Sequence, residues 1–177
     1  GWKTYWRSPG EGGVAPYITW QPGVSARWNW PVPQRFDVSG LTAQGYKHRV
    51  SFPLILSPET SPVLKGVLTL PTCSNLCLLT DYPFQLDLRE QTPATFEQYF
   101  AQAMRQVPAE NGPIQVSEVN VEQDSLRVIA QNPLGWNNPA LFLDSLSGLN
   151  FAEPVLTTDG ERLSALIPVT DEFGEAV

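Results

Sequence analysis

The sequence predicts an all-β chain made of two small sandwich domains, and three observations predict it. Prolines (17), glycines (13) and aromatic residues (8 Phe, 6 Trp, 5 Tyr) are abundant among the 177 residues, the pattern of many short strands joined by turns. Only one segment, near residues 95–107, has helical periodicity. Charge is divided unevenly: residues 1–92 hold eight Lys/Arg and six Asp/Glu, net +2, whereas residues 93–177 hold three and twelve, net −9. That contrast places a boundary near Pro93 and predicts domains at 1–92 and 93–177. An acidic half that serves only solubility would give the same contrast.

The first half reads as strands between turns. Tyr17–Trp20 precedes the turn Gln21-Pro22-Gly23, and Tyr46–Leu56 is one β-rich run in which Pro53 forces a bulge or an edge position. Val63–Leu70 follows the turn Ser57–Pro62, and Cys77–Thr80 and Phe84–Leu88 complete the domain. Ser8–Pro16 and Asn29–Gly40, rich in Pro and Gly, are expected to be structured surface loops. Phe96, Phe100, Ala103 and Val107 then recur near helical spacing, with Thr95 and Gln98 placed for a capping box and Pro108 as the stop. This helix is expected either to connect the halves or to open the second. Beyond it, Ile114–Val121, Ser125–Gln131, Ala140–Asp144, Ala152–Thr157 and Arg162–Pro168 predict five strands. No sequence repeat relates the halves.

Composition also excludes. There is no basic stripe to neutralise phosphates, which argues against a nucleic-acid partner. No apolar run reaches about 18 residues and the first residues lack the order of a signal peptide, so a soluble, trimmed chain or a soluble piece of a membrane protein is expected. Phosphate-binding glycine loops, a Ser-His-Asp set and paired acid/base carboxylates are not recognisable. No cofactor and no metal is expected, because two thiols and the single His48 fall short of the four ligands of structural zinc. Copper(I), which accepts two thiolates, stays open as an alternative, and His48 reads as a partly exposed strand residue.

Cys73-Ser74-Asn75-Leu76-Cys77 sits between apolar β-like segments. A three-residue hairpin loop would set the cysteines opposite one another at about 4.5–5.5 Å between Cα atoms, within disulfide reach. Closing a loop of about five residues gives roughly 2 kcal/mol, against roughly 4 for about 60 residues, so the placement suits stability poorly. A bridge at a hairpin tip is open to exchange, although a structural hairpin disulfide fits the same residues. No Lys, Arg or His is close in sequence, so thiols of ordinary or weakened acidity are expected, with Asp81 acting in the same direction if it is near.

Four segments carry a family resemblance: Gly1–Gly13 (GWKTYWRSPGEGG), Trp30–Phe36 (WPVPQRF), Gly45–Val50 (GYKHRV) and Cys73–Cys77. They resemble the N-terminal periplasmic region of the ScsB (suppressor of copper sensitivity) branch of the DsbD-related thiol:disulfide interchange family. The resemblance implies tandem immunoglobulin-like β-sandwich folds in a periplasmic part of an inner-membrane protein. It also implies a membrane domain of the same protein as electron donor and a periplasmic thioredoxin-fold acceptor such as the disulfide isomerase ScsC. Cys73 and Cys77 match the redox pair, with Cys77 forming the mixed disulfide and Cys73 resolving it. Their spacing departs from the five intervening residues of the DsbD domain. By the same resemblance, the loop Arg35–Leu41 stands where the family has a cap loop, making Phe36 the candidate shield; packing under a loop explains Phe36 equally. Tyr5, Trp6 and Tyr82 are candidates to line a cleft and to hold Asp81 or the resolving thiol, against the simpler reading of core aromatics. The second half offers no cluster of titratable groups for chemistry and is expected to position the first or add docking surface.

Overall fold

The computed structural model describes residues 1–38, 40–57, 61–171 and 173–175. All strand pairings in it are antiparallel, and one short helix interrupts them, so the all-β expectation holds. The chain divides into two units, Gly1–Pro108 and Ala109–Val177.

In the first unit, strands β1 (Lys3–Gly10), β2 (Tyr17–Trp20), β4 (Gln34–Val38), β5 (Leu41–Lys47), β7 (Val63–Cys73) and β8 (Cys77–Asp87) form one sheet, while β3 (Ala26–Trp28) pairs with β6 (Leu54–Leu56) as a ribbon. The ribbon meets the sheet through Phe52, whose ring lies 5.3 Å from Tyr46 on β5 and 5.4 Å from Trp28 on β3. Strand β7 is the spine. β8 covers one edge over its full length, while β2 covers residues 66–69 and β1 residues 72–73 of the other. Pro71, with no N–H to give, falls in the gap between those two neighbours, where no ladder bond is lost. Its carbonyl accepts from Thr4 Oγ1 at 2.7 Å.

Several expected elements differ. Tyr46–Leu56 is not one strand: β5 ends at Lys47, His48 turns the chain with φ 67°, and β6 starts at Leu54. His48 is therefore an exposed bend residue, not a strand residue. Cys77–Thr80 and Phe84–Leu88 merge into one strand, because Pro83 sits on an edge strand whose outer side needs no donor. Ser8–Gly10 belongs to β1, and Gln34–Val38 within the expected loop is β4. The turn Ser57–Pro62 contains residues 58–60, which lie outside the described residues.

Helix α1 (Phe96–Met104) belongs to the first unit, so the boundary falls at 108/109 and not at 92/93. The reason is packing: Ala103 is buried, and Val32 N–H donates to the Gln106 carbonyl at 2.9 Å just past the helix end. The capping box does not form. Thr95 already has helical dihedrals and caps no N–H, since the turn begins earlier, with Phe96 N–H donating to Pro93 O.

In the second unit, β13 (Arg162–Asp171) pairs with β10 (Ser125–Gln131) on one edge and with β12 (Val155–Asp159) and β11 (Leu149–Phe151) on the other; β9 (Gln115–Glu122) pairs with β10. Leu163, Ala165, Ile167 and Val169 alternate inward along β13, as the period of two requires, and the first three pack with Val128 and Ala130. No strand is assigned over Ala140–Asp144 among the described residues; Leu141 and Leu143 from it, with Trp136, pack against this core, and the unit's five strands run in the order β11-β13-β10-β9 with β12 also paired to β13.

Candidate functional site

The β7–β8 hairpin places the cysteines. Eleven consecutive pairs run from Val63↔Asp87 to Cys73↔Cys77, leaving Ser74-Asn75-Leu76 as the loop. Cys73 and Cys77 are disulfide-bonded with Cα atoms 4.1 Å apart, at the close end for opposed residues, as expected for a pair that exchanges no ladder bonds. The Ser74 N–H to Leu76 O bond at 3.0 Å, one pair further out, sets the same alternation.

The two sulfur-bearing residues differ in access. Cys73 is 2 % exposed and belongs to a buried cluster with Tyr5, Phe36 and Ala43, whereas Cys77 is exposed and flanked by Leu76 and Leu79, each 63 % exposed. An incoming thiolate can therefore reach Cys77 Sγ and expel Cys73 Sγ inward, but not the reverse.

Tyr5 is held by β1 between β7 and β5, and its hydroxyl lies 2.9 Å from Cys73 Sγ and 4.0 Å from Cys77 Sγ. A disulfide sulfur carries no proton, so the hydroxyl donates. Burial raises the Tyr5 pKa above its ordinary value, which keeps that proton in place. Phe36 is buried in the same cluster, its ring 6.3 Å from that of Tyr5. It stands in β4, opposite Ala43, so Arg35–Leu41, expected as a cap loop, spans the end of β4 and the start of β5; Ser39 lies outside the described residues.

Three candidates are not brought to the bridge. Asp81 shares a face with Cys77 but lies four residues along β8, roughly 13 Å at about 3.3 Å per residue. There it accepts from Thr69 Oγ1 at 2.7 Å. Tyr82 pairs with Leu68 on the opposite face and is half exposed. Trp6 is buried outside the Cys73 cluster, with the Arg7 guanidinium 4.6 Å from its ring.

Two residues that sequence reading missed are present instead. Lys3 is the direct cross-strand partner of Cys73, and Lys47 that of Lys3. Their Nζ atoms stand 5.2 and 5.9 Å from the Phe36 ring centroid. The expectation of ordinary or weakened thiol acidity took in only residues close in sequence; Lys3 is 70 residues away in sequence and one strand away in space. Alternation within the first strand hinted at it, since Lys3 and Tyr5 share a face, but the strand order was needed to use the hint.

Comparison with known proteins agrees with this geometry. The family described as thiol:disulfide interchange protein DsbD, N-terminal, matches residues 1–89, and a domain of unknown function, DUF8393, matches residues 106–177. The crystal structure of the N-terminal periplasmic domain of ScsB from Proteus mirabilis is similar at 48% identity and TM-score 0.92, covering 100% of this chain and 72% of that one. No curated protein matches.

Proposed function

Because the chain belongs to the DsbD N-terminal thiol:disulfide interchange family, we propose that it relays two electrons from a membrane domain of its full-length protein to periplasmic thioredoxin-fold partners, a disulfide isomerase of the ScsC kind among them. The chain is a periplasmic domain, as the Proteus mirabilis relative is, and among the described residues no helix is long and apolar enough to cross a membrane. The observation that carries the reading is the asymmetry of the bridge: an exposed Cys77 joined to a buried Cys73 that a tyrosine hydroxyl holds.

The exchange balances as follows in atoms and electrons. In the dithiol form, the Cys77 thiolate attacks a partner disulfide, forms a mixed disulfide and releases one partner sulfur as thiolate, which takes a proton from solvent. Cys73, deprotonated, attacks Cys77 Sγ, re-forms the Cys73–Cys77 bond and releases the second partner sulfur. The chain loses two electrons and two protons and the partner gains them. Tyr5 steadies Cys73 in this step, and Phe36 keeps water from the inner sulfur. The tandem immunoglobulin-like reading of the two units belongs to the same proposal, supported by their all-antiparallel strand order. The second unit positions the first or adds docking surface.

The test is stoichiometric. The reduced chain is mixed with one equivalent of an oxidised periplasmic thioredoxin-fold protein, and thiols are counted by alkylation mass shift. Transfer of both electrons within minutes is expected. A dithiol that persists for hours beside the oxidised partner, with a bridge that resists a thioredoxin-like donor, would make this disulfide a structural staple.

A further inference from the structure

At the level of the bridge, Cys77, Cys73, Lys3 and Lys47 form one row across four strands, each the direct partner of the next. Direct partners project to the same face, so both lysines rise from the face that carries the sulfurs. Their ammonium groups converge on the ring of Phe36, 5.2 and 5.9 Å from its centroid, and Phe36 packs in the cluster that buries Cys73. Lys3 Nζ also donates to the Asp37 carbonyl at 3.2 Å, but no carboxylate among the described residues forms an ion pair with either lysine. The opposite flank is apolar and uncharged, formed by Leu76 and Leu79, each 63 % exposed, with Asp81 a further two residues along β8. Cys77 thus opens onto a surface that is cationic on one side and greasy on the other.

Building on the redox reading, we infer that Lys3 and Lys47 are a charge-recognition element that selects the exchange partner. The partner they fit is a thiol protein presenting a carboxylate beside its reactive sulfur on one side and an apolar rim on the other. The Phe36 ring holds the two ammonium groups by cation–π attraction, so the charge is fixed beside the bridge and not spread over flexible stems.

Small thiols of different charge test this without a named partner. The bridge of the natural chain and of the Lys3→Met/Lys47→Met double variant is opened with 3-mercaptopropionate, 2-mercaptoethanol or cysteamine, each rate being corrected for the reagent's thiolate fraction and nucleophilicity. Two ammonium charges roughly 10 Å from one added carboxylate in water correspond to about a fourfold preference, which screening removes at high salt. The natural chain is expected to favour 3-mercaptopropionate over 2-mercaptoethanol by about that factor at low ionic strength, to disfavour cysteamine, and to lose both differences in strong salt. The double variant should show neither difference, and Lys3→Arg/Lys47→Arg should restore them. Equal discrimination in natural and double-Met chains with equal melting temperatures overturns the inference and leaves the redox reading standing. Failure of the neutral thiol to open the natural bridge at all overturns that reading, and the inference with it.

Discussion

Replacing Tyr5 by Phe removes one hydroxyl and leaves the ring that packs 6.3 Å from Phe36. That hydroxyl stands 2.9 Å from Cys73 Sγ on a side chain only 4 % exposed, so water cannot readily take its place. When Cys77 is attacked, negative charge develops on Cys73 Sγ. A hydrogen bond to a charged acceptor contributes about 1.5–3 kcal/mol, or roughly 10- to 100-fold in rate if the charge were complete. Because the leaving sulfur is only partly charged at the transition state, opening by dithiothreitol should slow by about tenfold, the low end of that range. Burial raises the Tyr5 pKa, so the donor persists and the ratio of the two rates should stay flat from pH 7 to about 9.5. The assay is rapid-quench alkylation, with thermal melts to confirm that the variant is folded. Opening within twofold of the natural rate, in a folded variant, would refute the role given to Tyr5.

The same sheet makes two further predictions. Gly45 faces Tyr5 across β1 and β5, and a Cβ there would overlap the Thr4 carbonyl oxygen and come within 2.8 Å of Tyr5 Cα. Gly45→Ala should therefore destabilise the first unit by about 1–3 kcal/mol through overpacking against backbone, read by denaturant melts, and should disturb bridge opening because Tyr5 moves with β1. Burial pushes the Tyr46 pKa well above its ordinary value, partly offset by Arg7, while its hydroxyl donates to Pro31 O at 2.8 Å. The folded chain then holds a proton that the unfolded chain releases near pH 10, so this stability is fully present below about pH 10 and is lost as pH rises beyond it. Tyr46→Phe should cost about 1–2 kcal/mol at pH 8 and give a shallower fall between pH 9.5 and 11.5 by urea titration.

The hairpin that carries the site was legible because both of its determinants are local: a three-residue loop and apolar β-like segments on either side. The buried and exposed identities of its cysteines were not, because they depend on β1, β4 and β5 folding over Cys73 from far away in sequence. Asp81 misled for the opposite reason: four residues in an extended strand are a long way in space. Phe36, the candidate shield, does pack with Cys73, yet the prolines before it disguise a five-residue strand as loop. Helical spacing located α1, but the contacts of Ala103 and Gln106 that assign it to the first unit leave no local trace. In the second half, Leu141 and Leu143 alternate like strand residues and pack on the core, yet no strand is assigned to them among the described residues.

Single-cysteine trapping reaches the central claim most directly. Cys73→Ala and Cys77→Ala chains are each offered a periplasmic thioredoxin-fold protein whose one exposed cysteine carries a thionitrobenzoate leaving group. The account predicts rapid release of thionitrobenzoate and a covalent adduct through Cys77 in the Cys73→Ala chain, with little of either from the Cys77→Ala chain, where the remaining thiol is buried. Equal adduct from both chains, or a faster one through Cys73, would contradict it.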